Sequence, residues 1–101
     1  MSKIALLNDA LRKSCIGGQI VVTSGFNALP PETKLLAVNA MIGFDDFKPD
    51  NDPYGEHDFG AFEVDGHKFF FKVSYYDITM EFGSDDPANP EVTKRVLTLM
   101  L

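Results

Sequence analysis

Apolar residues near the start of the chain recur at helical spacing. Ile4, Leu7, Leu11 and Cys15 stand at i, i+3, i+7 and i+11, flanked by Ala10 and Ser14, while Asp9, Arg12 and Lys13 take the other face. The pattern predicts a helix over residues 3–15, stopped at Gly17-Gly18, where glycine adopts a left-handed cap at little steric cost. Cys15 reads as a small buried apolar residue rather than a nucleophile. Residues 19–24 are short and β-branched, which predicts a strand ended by Gly25. Leu29-Pro30-Pro31-Glu32 then opens a second helix, with Pro31 at its first position and Glu32 in its first turn. Leu35, Val38 and Ile42 form its apolar stripe, widened by Leu36 and Met41, and Gly43 ends it.

The period becomes two after Phe59. Asp65-Gly66 is a two-residue hairpin signal between Val64 and His67. Phe62 and Val64 alternate with Glu63 before it. Phe69, Phe71, Val73 and Tyr75 alternate after it with Lys68, Phe70, Lys72 and Ser74. Ile78, Met80 and Phe82 continue the alternation, so residues 59–83 predict a three-stranded antiparallel meander with one apolar face toward the helices. Phe70 and Tyr76 fall on the solvated face, beneath a returning loop or exposed as a contact surface; the loop is the preferred reading. Asn89 as N-cap, Pro90 at the first helical position and Glu91 in the first turn predict a third helix with Val92, Val96 and Leu99 as its stripe. The expected fold is one α+β domain over residues 1–101: an antiparallel sheet, made of the meander and the short first strand, packed against about three helices.

Residues 44–60 have neither period. Two prolines, two glycines and alternating carboxylates and aromatics make them a long turn-rich loop, and Phe44, Phe47, Tyr54 and Phe59 give it apolar surface with which to become ordered. Charge is concentrated there. Residues 1–44 carry Lys3, Arg12, Lys13 and Lys34 against Asp9 and Glu32, a balance of +2. Residues 45–65 carry Asp45, Asp46, Asp50, Asp52, Glu56, Asp58, Glu63 and Asp65 against Lys48 alone, a balance of −7. The whole-chain charge of −6 disfavours direct binding to nucleic acid or to anionic membranes. A single cysteine excludes an internal disulfide and a multi-cysteine metal site. Met1 to Asp9 contains no apolar run suited to a signal peptide or a membrane span, so a reducing cytoplasm is the expected compartment.

Three chemistries compete for the loop. Counting from Asp50, a calcium loop finds Asp52 at position 3, Gly55 at 6, Glu56 at 7 and Asp58 at 9, but Tyr54 occupies 5 and Ala61 replaces the bidentate glutamate at 12. A mixed nitrogen/oxygen site built from His57 with Asp52, Glu56 and Asp58 has only one histidine. Turn chemistry, in which Asp and Asn bond their own backbone, is the stronger reading. His57 beside Asp58, with Tyr54 near, suggests a general acid/base pair, yet no nucleophile or phosphate-binding glycine loop accompanies it. Ser24-Gly25 lacks the preceding glycine of a nucleophile elbow, and Gly17-Gly18 precedes a strand rather than a helix. The third chemistry is protein binding: carboxylates steer encounter with a basic surface, and aromatics supply anchors. Spaced carboxylates can also imitate a phosphate backbone.

The run from Phe44-Asp45-Asp46-Phe47 through Asn51-Asp52-Pro53-Tyr54-Gly55-Glu56-His57-Asp58-Phe59-Gly60, with Phe62-Glu63-Val64-Asp65-Gly66, Tyr75-Tyr76-Asp77, Asp86-Pro87 and Val96-Leu97-Thr98, resembles a family of small bacterial proteins of unknown function typical of proteobacterial plasmids and mobile elements. The similarity extends to Leu7-Asn8-Asp9, Gly17-Gly18 and Leu29-Pro30-Pro31-Glu32. The resemblance implies a longer C-terminal tail than the one in this sequence. The resemblance implies no activity and carries over no functional residue; residence on mobile elements implies, by analogy, a counter-defence role.

The expected function is therefore a non-enzymatic acidic module that binds a basic or nucleic-acid-binding host protein, as an inhibitor of the anti-CRISPR or antirestriction type. Its expected contact residues are Asp45, Asp46, Phe47, Asp50, Asp52, Tyr54, Glu56, His57 and Asp58, with no cofactor. The alternatives are a metal-dependent enzyme or metal-binding protein using His57, Asp58 and Asp52, and a structural homo-oligomer joined by the C-terminal helix.

Overall fold

A computed structural model describes residues 1–101. Helix α1 runs Lys3–Ser14, strand β1 Gln19–Val22, a single-turn helix α2 Ser24–Asn27 and helix α3 Pro31–Ile42. Strands β2 (Phe59–Val64), β3 (His67–Tyr76) and β4 (Lys94–Met100) complete the chain. The sheet order is β1-β4-β3-β2, with β1 parallel to β4 and the other pairs antiparallel. The architecture is α+β with three helices, but the sheet is mixed rather than antiparallel. No helix is long and apolar enough to cross a membrane.

The hairpin forms as its turn residues dictate. Asp65 (φ +55°) and Gly66 (φ +80°) both take positive φ, and Val64 pairs with His67. Phe69, Phe71 and Val73 of β3 are buried with Leu97 and Leu99 of β4. Leu11 of α1, Phe26 of α2, and Ala37 and Met41 of α3 close the same core.

Two predicted elements are replaced. Residues 77–82 make no third meander strand. The Asp77 carboxylate instead accepts the Thr79 hydroxyl at 2.8 Å and the Glu81 and Phe82 amides, while Met80 takes φ +63°. That turn leaves Ile78, Met80 and Phe82 exposed. The predicted last helix is strand β4. Its residues satisfy both periods, because Val92, Val96 and Leu99 recur at helical spacing while Arg95, Leu97 and Leu99 alternate inward. Pairing decides the outcome. β3 has a free edge opposite the hairpin and β1 has no partner of its own, so the strand between them supplies hydrogen bonds to both. A joining surface on a C-terminal helix is thereby removed, since Leu97 and Leu99 lie in the core.

The helix faces differ from the simple stripes. α1 buries Ala5, Asn8, Leu11 and Arg12, a face rotated from the Ile4, Leu7 and Cys15 line. Cys15 is exposed and forms the left-handed cap itself (φ 58°, ψ 27°). α3 buries Thr33, Ala37 and Met41, while Leu35 remains 62% exposed. Thr33 is held inside by donating to the Asp65 carboxylate at 2.8 Å. The returning segment reaches the end of β3 through a bridge from Tyr76 to Gly83. Phe70 is instead half-buried by Phe59 on the neighbouring strand and by the Lys68 ammonium, 5.7 Å from its ring centroid.

Candidate functional site

The loop between α3 and β2 is ordered from within by its apolar and polar residues alike. Phe44 packs edge-on against Phe71 of the core with ring centroids 5.3 Å apart, and against Phe47 at 5.0 Å. Phe47 stacks flat on His57 at 4.0 Å, with 3° between the ring planes. The Arg12 guanidinium lies 5.1 Å from the Phe47 centroid and 5.5 Å from that of Phe71. Full burial of a phenylalanine ring is worth about 1.5–3 kcal/mol before ordering costs, of which the half-buried Phe44 and Phe47 gain a part.

Backbone turns fix the rest. Asn51 accepts from the Lys48 amide at 2.8 Å and donates to the Asp46 carbonyl at 2.8 Å. Asp52, only 8% exposed, accepts the Glu56 and His57 amides at 3.0 and 3.2 Å. Gly55 (φ +64°) and His57 (φ +55°) supply the left-handed turns between them. The turn chemistry expected of Asp and Asn therefore accounts for Asn51 and Asp52.

Two polar chains bind the loop to the body of the protein. In the first, His57 Nδ1 is 3.0 Å from Asp9 Oδ1, which also accepts Arg12 Nη1 at 3.0 Å, and Arg12 Nη2 donates to the Phe44 carbonyl at 3.1 Å. Arg12 Nε alone is buried without a partner. His57 Nε2 faces Asp52 at 3.9 Å, so the ring lies between two carboxylates. In the second chain, Arg95 Nε donates to Asn8 Oδ1 at 2.6 Å, and Arg95 Nη2 donates to the Pro87 carbonyl. Asn8 Nδ2 donates to the Glu56 carbonyl at 2.9 Å and to the Tyr75 hydroxyl at 2.8 Å. The Tyr75 hydroxyl in turn donates to Glu56 Oε1 at 2.8 Å. Arg95 is 2% exposed, stacks 5.2 Å from the Tyr75 centroid and has no carboxylate in contact. Burial holds its pKa below the usual arginine value, and burial pushes the Tyr75 phenol up. Burial also raises the Asp58 carboxyl, with Glu56 and Asp52 adding to the rise while its own amide and Lys72 oppose it.

The sequence-predicted residues thus separate into two groups. Phe47, Asp52, Glu56 and His57 are engaged inside the loop, and Asp58 is half-buried with its carbonyl accepting the Val73 amide at 2.8 Å. Asp45, Asp46, Asp50 and Tyr54 face solvent, Tyr54 being 85% exposed. Only Lys48 answers them, 3.1 Å from Asp46 in an exposed pair of small energetic weight. No group of three or more His, Cys, Asp or Glu side chains is placed to hold a metal ion. A shallow recess of about 240 Å³ lies beside the loop, lined in part by Asp9, Arg12, Asp45 and His57.

Asn8, Asp9, Arg12, Tyr75 and Arg95 escape the sequence reading of this site. Tyr75 carried one usable signal, because a tyrosine at the end of an apolar strand face needs a partner for its hydroxyl. Arg12 sits on the face of α1 that periodicity gives to solvent, Asn8 is a polar residue bordering the apolar stripe, and their partners lie far along the chain.

No curated protein and no solved structure matches the chain. Residues 22–101 match the family described as protein of unknown function DUF3768, a span that takes in the loop, the hairpin, Tyr75 and Arg95 but not the α1 residues that meet them. With four-fifths of its length matched, the chain belongs to that family.

Proposed function

We propose that this protein is a non-enzymatic, cytoplasmic binding module that presents Asp45, Asp46, Asp50 and Tyr54 to a basic surface on a partner protein. The observation that carries the reading is the division of labour within one loop. Phe44, Phe47, Asn51, Asp52 and His57 hold the backbone from inside, while three carboxylates and a tyrosine are left in solvent. A pre-ordered loop loses little entropy on binding, the carboxylates steer encounter, and an exposed tyrosine is a favoured anchor. Solubility alone explains exposed acids, but not an 85% exposed tyrosine among them.

In its narrower form, the partner is a nucleic-acid-binding host complex, and the protein inhibits it in the service of a mobile element. Support comes from the chemistry: carboxylates fixed on an ordered loop can occupy positions where such a complex expects phosphates. Glu56, Asp58 and Asp52 then act as supports rather than contacts.

The test is quantitative affinity capture from bacterial lysate, with the intact protein and an Asp45→Lys, Asp46→Lys, Asp50→Lys triple variant as baits. Basic proteins are expected on the first bait, released by salt as screening shortens the Debye length, unaffected by chelator and absent from the second. The variant should keep its thermal transition, because none of the three carboxylates is buried. Equal capture by both baits, or capture abolished by chelator, overturns the reading.

A further inference from the structure

A second recess lies where β1 and β4 begin, and no residue of the loop lines it. It measures about 460 Å³, a size suited to a small molecule. Its walls are Gly17, Gly18 and Gln19 from the α1–β1 turn, Met80 and Pro90 from the returning segment, and residues 93–96 at the start of β4. Lys94 and Val96 alternate with the buried Arg95 and Leu97, which places their side chains on the sheet face away from the helices. Gln19, paired with Val96, shares that face.

The polar content of the recess is one-sided. None of its lining residues is an acid, although the chain carries a net charge of −6. Lys94 is exposed and has no carboxylate in contact. The Gly17 and Gly18 amides have no partner within the chain. Gly17 takes φ +87° with open space around it, and a Cβ on Gly18 would collide with the Arg95 carbonyl, so both positions call for glycine. Unpaired donors and a free ammonium around an apolar floor make an environment for an anion.

We propose that this recess binds a small organic anion, a phosphate- or carboxylate-bearing molecule whose head meets Lys94 and the Gly17 and Gly18 amides and whose body lies on Met80, Val96 and Pro90. Glu81 and Glu91 adjoin Met80 and Pro90 in sequence and are exposed outside the lining. Their charge favours a ligand of low charge over a polyanion. None of the lining residues belongs to the acidic loop, so this site and the loop interface stand or fall separately.

Titration of the isotope-labelled full chain with phenyl phosphate, benzoate and benzyl alcohol, followed by amide NMR, tests the site. Phenyl phosphate or benzoate should shift the Gly17, Gly18 and Gln19 amides saturably, and which of the two does so identifies the head group. Benzyl alcohol should leave them in place. Lys94→Glu should weaken the anion by about tenfold or more, and Lys94→Gln by less. Unmoved amides at millimolar anion, equal binding by both variants, or equal binding of the neutral alcohol overturns the proposal.

Discussion

Asp58 and Asp77 are both turn aspartates, and their surroundings push them in opposite directions. Asp77 lies at the surface and collects the Thr79 hydroxyl first, then backbone amides, which holds its carboxyl below the usual range. Such a group contributes stability above its unfolded pKa and loses it as pH falls through the folded value. Asp58 is half-buried beside Glu56 and Asp52, and burial raises its carboxyl above the usual range. The folded protein therefore holds the Asp58 proton more tightly than the unfolded chain does. Its contribution is fully present below the ordinary aspartate pKa of about 3.9 and is lost as pH rises through the raised folded value. At neutral pH the ionised carboxylate opposes folding. Asp58→Asn, which keeps an oxygen for the amide bond, should accordingly be more stable than the parent at pH 7, with the advantage shrinking as pH falls through the raised folded value and gone by about pH 4. Urea midpoints measured across pH check this, and a variant less stable than the parent at pH 7 would show that the charge is used rather than tolerated.

At the scale of elements, Gly17 and Gly18 look alike in sequence and differ in what they do. Gly17 has open space around a Cβ position but a positive φ; Gly18 has an ordinary φ but lies against the Arg95 carbonyl of β4. Gly17→Ala should cost about 1–2 kcal/mol through left-handed backbone strain while leaving β1 in place. Gly18→Ala should cost about 1–3 kcal/mol and displace β1, since a carbonyl in a paired strand cannot rotate aside. Hydrogen exchange separates the two: β1 amides should lose protection only in Gly18→Ala, and equal protection in both variants would contradict the close approach. The elements that were legible from sequence are those with local causes: the apolar period of α1, the prolines that open α3, the β-branched β1 and the Asp65-Gly66 hairpin. Those that were not have distant causes. Residues 77–82 alternate like a strand, yet Asp77 closes them into a turn. Asn89, Pro90 and Glu91 carry helix-start signals, yet the residues after them complete a sheet by pairing Val96 with Gln19, 77 residues earlier. The site divides in the same way. Asn51 and Asp52 were readable as turn residues, whereas Arg12 counts as an outward position and Asn8 has no visible partner until Phe44, Glu56 and Arg95 are brought to them.

For the whole molecule, the family match and the cooperative fold have different limits. The match starts at Val22, but the protein core and both polar chains use residues before it. α1 buries Ala5 and Leu11, accepts the Arg95 guanidinium on Asn8 and pairs Asp9 with His57. β1 covers the β4 edge. Loss of Leu11 from a core resembles a leucine truncation at about 2–5 kcal/mol, and leaving the buried Arg95 donor without Asn8 costs about 1–3 kcal/mol more. Together these approach the roughly 5–15 kcal/mol available to a domain. A chain restricted to residues 22–101 should therefore lack a cooperative thermal transition and give poorly dispersed amide spectra. Addition of a separate peptide spanning residues 1–21 should restore both in proportion to its concentration, as expected when a folded state binds what completes it. A sharp transition in residues 22–101 alone would instead mean that Arg95 and Tyr75 find other partners, and that the loop is ordered without α1.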